Sequence, residues 1–277
     1  MIELPESATI AGQLGKTVKN KTIDTVVAAQ SPHGFAWYYE DPKDYHKRLA
    51  GQRIGEVRST AGYVELFTKD ATILLAEGVN IRYGEDQAAI PKKHQLLVVF
   101  TDGSYIVCTV QMYGMLYAFP GRSLDNPYYR GAQEKPAALG KQFTKSYFRK
   151  LYKDTTDKLS AKAFLATEQR IPGLGNGCLQ DILFRARVNP QSKLKCLPSG
   201  AADNLFTSVK EVLSEMVKAG GRDTEKDLFG QPGGYATILS SKTMTKPCPV
   251  CGAAIARKAF LGGNVYFCPE CQPVLNR

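Results

Sequence analysis

Four cysteines near the end of the chain constrain it most. Cys248-Pro-Val-Cys251 is followed, after 16 residues, by Cys268-Pro-Glu-Cys271. Two CxxC knuckles at this spacing place four thiolates tetrahedrally around one Zn²⁺. No histidine stands near them, so the site is expected to be closed and structural. A segment this short cannot bury a core, and the metal must supply its folding energy. Between the knuckles, "AAIARKAFLGGNVYF" reads as a hairpin with Gly262-Gly263 at its tip and Arg257 and Lys258 on the approach. Cys108, Cys178 and Cys196 lie in apolar or loop contexts and are read as unpaired thiols.

The other 240 or so residues divide into two kinds of pattern. "PESATIAGQLGKTVKNKTI" predicts a helix led by Pro5, with Ile10, Leu14 and Val18 on one stripe. "TIDTVVAA", "YVELFT", "TILLAE", "QLLVVF" and "SYIVCTV" are short β-rich runs, and "FTKDAT" and "FTDGSY" supply hairpin turns between pairs of them. Short strands without long intervening helices predict a sandwich or a barrel. The stretch 119–140 is rich in Pro and Gly without a period and reads as a linker. Beyond it the chain turns helical. Thr144 and Ser160 are candidate N-caps, "CLQDILFRAR" stops before Asn189-Pro190, and Leu205, Val209, Val212, Leu213 and Met216 line one face of a helix ending at Gly220-Gly221.

The net charge is +10, which favours a polyanionic partner, nucleic acid before anionic membrane. Bases concentrate between Lys141 and Lys162, interleaved with Phe143, Tyr147, Phe148 and Tyr152. On a helix the aromatics would face a core and the bases would face outward. No apolar run approaches the ~20 residues that span a bilayer. Glu3 and Glu6 stand where a signal peptide would be basic. A cytoplasmic, nucleoid-associated monomer is expected.

"EQRIPGLGNGCLQDILF" carries Gly173-x-Gly175-Asn176-Gly177 into a helix. The spacing breaks the dinucleotide fingerprint, and the segment before it looks helical. The pattern fits a helix–turn–helix, either as a plain interhelical turn or as one whose amides and Asn176 side chain bind a phosphate.

An N-terminal "ELPE", the turn "IPGLGNGCLQDILFRARVNP" and a terminal CxxC-x16-CxxC ending in "CPECQ" occur in that order. Together they resemble the formamidopyrimidine-DNA glycosylase and endonuclease VIII family over nearly the whole chain. The resemblance implies an α+β fold: an N-terminal β-sandwich with an early helix (1–120), a linker (121–141), a helical domain with a helix–two-turn–helix (142–240) and a zinc-finger hairpin (241–277). It implies double-stranded DNA with damaged bases or abasic sites as the partner, a terminal amine as nucleophile and a neighbouring Glu for proton transfer. Glu3 matches the family's catalytic Glu, Glu6 its second N-terminal acid and Asn176 its phosphate-contacting Asn. An α-amine is partly neutral near physiological pH, and imine formation permits elimination at the sugar.

The match breaks in four places. Ile2 stands where the family has its proline, so Met1 is expected to remain and to provide the amine, one residue further out. Gly62 and Gly263 stand where the family has a site Lys and a hairpin Arg. Gln111-Met112-Tyr113-Gly114 replaces an "RRFG" run, leaving Tyr113 as a candidate wedge in a base stack or a sandwich aromatic. Arg58, Lys92, Lys93 and Arg257 are the candidate replacements for the lost cations. These departures predict altered or lost catalysis, with a non-catalytic lesion-binding or DNA-architectural protein as the alternative.

Overall fold

The β-rich runs between residues 23 and 120 form one sheet, seen in a computed structural model that describes residues 1–276. Its strands are β1 (Ile23–Ala28), β2 (Ala36–Trp37), β3 (Val57–Thr60), β4 (Tyr63–Phe67), β5 (Ala71–Gly84), β6 (Leu96–Phe100) and β7 (Tyr105–Pro120). They follow the order β1-β6-β7-β5-β4-β3, with β2 paired to β7. Two helices accompany them, α1 (Leu4–Thr17) and α2 (Tyr45–Leu49).

The two long strands produce the layers. Glu77 pairs with Gly114 and Val79 with Val110, so Gly78 alone opposes residues 111–113. This irregularity bends both strands. Gly78 is required there, because a Cβ would lie 2.3 Å from the Tyr113 carbonyl oxygen. Ile81, Val98 and Ile106 from one half then share a core with Val64, Ile73 and Leu116 from the other, closed by Ile10 and Leu14 of α1. The sandwich is one sheet folded over.

The second core belongs to α4 (Lys145–Thr155), α5 (Ala161–Ala166), α6 (Asn176–Arg185) and α7 (Ala201–Lys218). Thr144 and Ser160 cap α4 and α5 as expected. Phe143 and Phe148 are buried and stack against Phe206, so the aromatics of the basic segment do face inward. Not all of its bases face outward. Lys162 is buried and donates to the Phe260 carbonyl, while Lys145 and Arg149 pair with Asp203.

The stretch read as a linker contains a helix, α3 (Pro127–Glu134), started by Asn126, whose side chain accepts from Tyr128 and Tyr129 amides. Tyr129 is fully buried, packs edge-on against Tyr63 and donates to the Glu65 carboxylate. Eight residues are too few for a stable isolated helix, and tertiary burial holds this one. The last element is a two-stranded ribbon, β8 (Ala256–Phe260) and β9 (Gly263–Phe267). Leu261 and Gly262, both at positive φ, form its turn, one residue earlier than the Gly-Gly pair suggested. Among the described residues, no helix is long and apolar enough to cross a membrane.

Candidate active site and nucleic-acid interface

The N-terminal segment runs between the two cores. The Ile2 amide donates to the Glu77 carbonyl at 2.7 Å, and the Leu4 amide to the Gly173 carbonyl at 2.8 Å. Side chains alternate along an extended segment. Ile2 enters the sandwich core, Leu4 enters the helical core, and Glu3 between them meets the start of α6. An apolar residue at position 2 is therefore part of the packing.

Glu3 caps α6 from outside. Gly175, the N-cap residue, offers no side chain. The Glu3 carboxylate accepts instead from the amides of Gly175 (3.0 Å), Gly177 (2.7 Å) and Cys178 (2.9 Å). These are donors that a helix start leaves unpaired, and its dipole favours an anion there. Arg222 lies beneath, 2% exposed. Its guanidinium donates to both oxygens of Glu6 at 2.9 and 2.8 Å, to the Met1 carbonyl at 3.2 Å, and sits 3.5 Å from Glu3. A Cβ at Gly177 would fall 1.3 Å from Arg222 Nη1, so any larger residue would displace the guanidinium. Glu6 closes a capping box with Glu3 at the head of α1. Burial by itself would push the Glu3 carboxyl up. The Arg222 charge and the hydrogen bonds from Cys178 and Gly177 outweigh it and hold Glu3 below its usual value.

The Met1 amine does not turn to Glu3. It pairs with Glu225, in the loop after α7, and the Met1 side chain remains about a third exposed. A cavity of about 50 Å³ adjoins it, lined by Met1, Glu3, Gly62, Tyr63, Glu77 and Gln169. Gly62 leaves this wall without a cation. It packs backbone to backbone on Gly173, whose own φ of +79° and 2.7 Å approach to Ala61 exclude a side chain. Met1, Glu3 and Glu6 are thus brought together, and the amine, one residue further out than in the family, pairs with Glu225 and not with Glu3. Arg222, Glu225 and Glu77 were absent from the sequence reading. Only the odd charge cluster just after Gly220-Gly221 hinted at the first two.

Tyr113 sits at the sheet's bend, half-buried, with its hydroxyl 3.6 Å from Met1 Sδ and its ring 5.6 Å from that of Trp37. It is neither a core residue nor the most exposed residue of the bend. Met112 protrudes further, at 64% exposure.

Asn176 opens α6 and touches the ribbon: its Nδ2 donates to the Asn264 carbonyl at 3.0 Å, while its Oδ1 is buried without a partner. One N–H of the amide group remains to donate elsewhere. Gly263 lies against Asn176, and a Cβ there would approach Nδ2 to 3.4 Å. Arg257 and Lys258 are both exposed and have no ion-pair partner among the described residues. As neighbours on β8 they point to opposite faces of the ribbon. Arg58, a candidate replacement cation, is engaged by the buried Glu65.

The four cysteines fit the metal. Their sulfur atoms all lie within 4.8 Å of one another, with 3.9 Å between Cys248 and Cys271 and 3.4 Å between Cys251 and Cys268. Zn–S bonds of ~2.3 Å in a tetrahedron give S···S edges of about 3.8 Å. Cys248, Cys251, Cys268 and Cys271 form a structural zinc site. Gln272 docks it on the helical core, donating to the Val188 carbonyl and accepting from the Cys268 amide.

Two family models match the chain: "Formamidopyrimidine-DNA glycosylase N-terminal domain" over residues 1–149 and "Zinc finger found in FPG and IleRS" over residues 246–274. A formamidopyrimidine-DNA glycosylase of Geotalea daltonii is 30% identical, covering 98% of this chain and 100% of the relative. One from Bacillus licheniformis is 28% identical over 98% and 99%. Among solved structures, the MutM (Fpg) protein of Thermus thermophilus superposes with a TM-score of 0.80 at 24% identity, covering 98% and 99% of the two chains. Lactococcus lactis Fpg in complex with abasic-site DNA gives 0.81 at 22% identity, over the same shares.

Proposed function

Because the chain belongs to the formamidopyrimidine-DNA glycosylase family, we propose that it binds duplex DNA carrying damaged bases or abasic sites and acts there as a DNA glycosylase and AP lyase. The observation that carries the proposal is a cavity where the two cores meet, lined by the terminal residue Met1 together with Glu3 and Glu77. Residues 1–120 and 142–240 are the two jaws, joined by 121–141, and 241–277 is the zinc hairpin. Asn176 reaches a phosphate with its remaining N–H, helped by one of Arg257 and Lys258. Met112 and Tyr113 at the sheet's bend enter the gap left in the base stack. Zinc takes no part in the chemistry. It holds the ribbon against α6.

The amine must leave Glu225 before it can attack C1′ of the sugar. It also sits one residue further out than the family's proline. Misplacement by ~1 Å can lower a rate on the order of 10²-fold. Slow turnover is the expected result. Borohydride trapping on an abasic duplex, with a normal duplex as control, tests this: a weak covalent adduct is expected, and lesion-preferring binding without any adduct would replace the enzyme by a binder. That second reading has its own support in the Met1–Glu225 pair and in the three amides that occupy Glu3.

A further inference from the structure

Glu3 has little capacity left for proton transfer. Three amides and Arg222 engage its two oxygens, and each interaction favours the carboxylate. A different carboxyl lines the same cavity. Glu77 is half-buried there, and its side chain makes no hydrogen bond or ion pair among the described residues. Its backbone is held at φ +64°, a left-handed conformation unusual for glutamate, by the Ile2 amide on its carbonyl and by the tight passage of Gly78 under Tyr113. Strained residues of this kind concentrate at functional sites.

We propose that Glu77, and not Glu3, is the carboxyl group that exchanges protons with a substrate held at the Met1 amine. The inference rests on the lyase reading above. The groups facing Glu77 are Glu3 and the Met1 amine from the N-terminal segment, Tyr63 from β4 and Tyr113 from β7. Burial, then the charge of Glu3, push its carboxyl up against the opposing pull of the amine. Burial holds both tyrosines neutral.

At an abasic site the neutral amine adds across the sugar aldehyde, its N–H proton passing to the oxygen. Protonated Glu77 then donates to the resulting hydroxyl. The C–O bond breaks, water leaves with that electron pair, and the nitrogen lone pair forms the C=N bond. The Glu77 carboxylate next removes the C2′ proton. The released pair forms a C=C bond and expels the 3′ phosphate, and Glu77 is protonated again.

The experiment uses the full-length, zinc-loaded protein and an abasic duplex, with single-turnover strand cleavage and borohydride trapping measured across pH. Glu77→Gln should lower cleavage by about 10²-fold, leave duplex affinity within about threefold of wild type, and change the pH profile of cleavage. Glu77→Asp, which keeps the carboxyl, should recover part of the rate. Wild-type rate and pH profile in Glu77→Gln would overturn the assignment while leaving the lyase reading intact. A wild type that binds the duplex but neither cleaves nor traps overturns both.

Discussion

The zinc ribbon and the N-terminal junction hold their parts by opposite means. The ribbon has four ligands from 24 residues of chain and a small apolar cluster around Phe184, Leu239 and two of the cysteines. Among the described residues, the junction offers no cluster of metal ligands. It joins residues 1–6, 173–178 and 222–225 through the buried Glu3, Glu6 and Arg222, which pair with one another. One depends on a single ion. The other depends on every member staying in place, because a buried charge is tolerated only while it is paired.

Removing the metal should break this comparison hardest. A structural zinc contributes on the order of 10–16 kcal/mol in small fingers. Chelation, or Cys268→Ser, should melt the ribbon and remove most duplex affinity, while the sandwich and junction survive. Metal content and hydrogen exchange resolved by segment would check this. Protection lost equally in β5 and β7 would refute the local character of the effect.

Breaking the junction should be next in size. Arg222→Met leaves Glu3 and Glu6 buried without their cation and should lose about 3–5 kcal/mol in denaturant unfolding. The pH dependence gives the same answer from the other side. Glu3 is depressed below its ordinary value of 4.5, so its contribution is fully present above pH 4.5 and is lost as pH falls through its folded value. Glu3→Gln should flatten that acid limb. Glu77 is raised, so its ionisation opposes folding as pH climbs past 4.5, and Glu77→Gln should gain stability at neutral pH. Parallel slopes for the two variants would show that the carboxyls do not differ as their surroundings require.

The smallest effect sharpens the meeting of the two regions, where Asn176 of α6 touches Asn264 of the ribbon. Asn176→Ala should weaken duplex binding by about 1 kcal/mol and leave the log–log salt slope unchanged, because a neutral amide releases no counterion. Because Arg257 and Lys258 face opposite ways, only one of their alanine variants should lower the slope. Equal losses from both would mean that the ribbon turns or wraps on DNA.

The same contrast of local and distant contacts explains what could be read early. The zinc site was legible because its ligands are near neighbours in the chain and thiolate–metal geometry allows few other arrangements. The caps Thr144 and Ser160 and the two hairpin turns were legible for the same reason. The helix α3 was not, since its Pro and Gly content reads as loop and only burial of Tyr129 against Tyr63 and Glu65 makes it fold. The N-terminal acids were seen at once, yet the groups that hold them were not. Glu3 was matched to the family's catalytic Glu; the carbonyls of Glu77 and Gly173 aim it at α6, and Glu225, more than 200 residues away, takes the amine.

Chain-local chemistry thus sufficed for most of the strands and helices, the metal and the basic character, and the order of the motifs carried the resemblance to the family. The tertiary structure alone decided which carboxylate is tied down and which is free, because that depends on how far each is desolvated and on donors brought from distant segments. Arg222 beneath Gly177 holds Glu3 as an anion. The fold in the sheet at Gly78 leaves Glu77 unpaired beside the terminal amine.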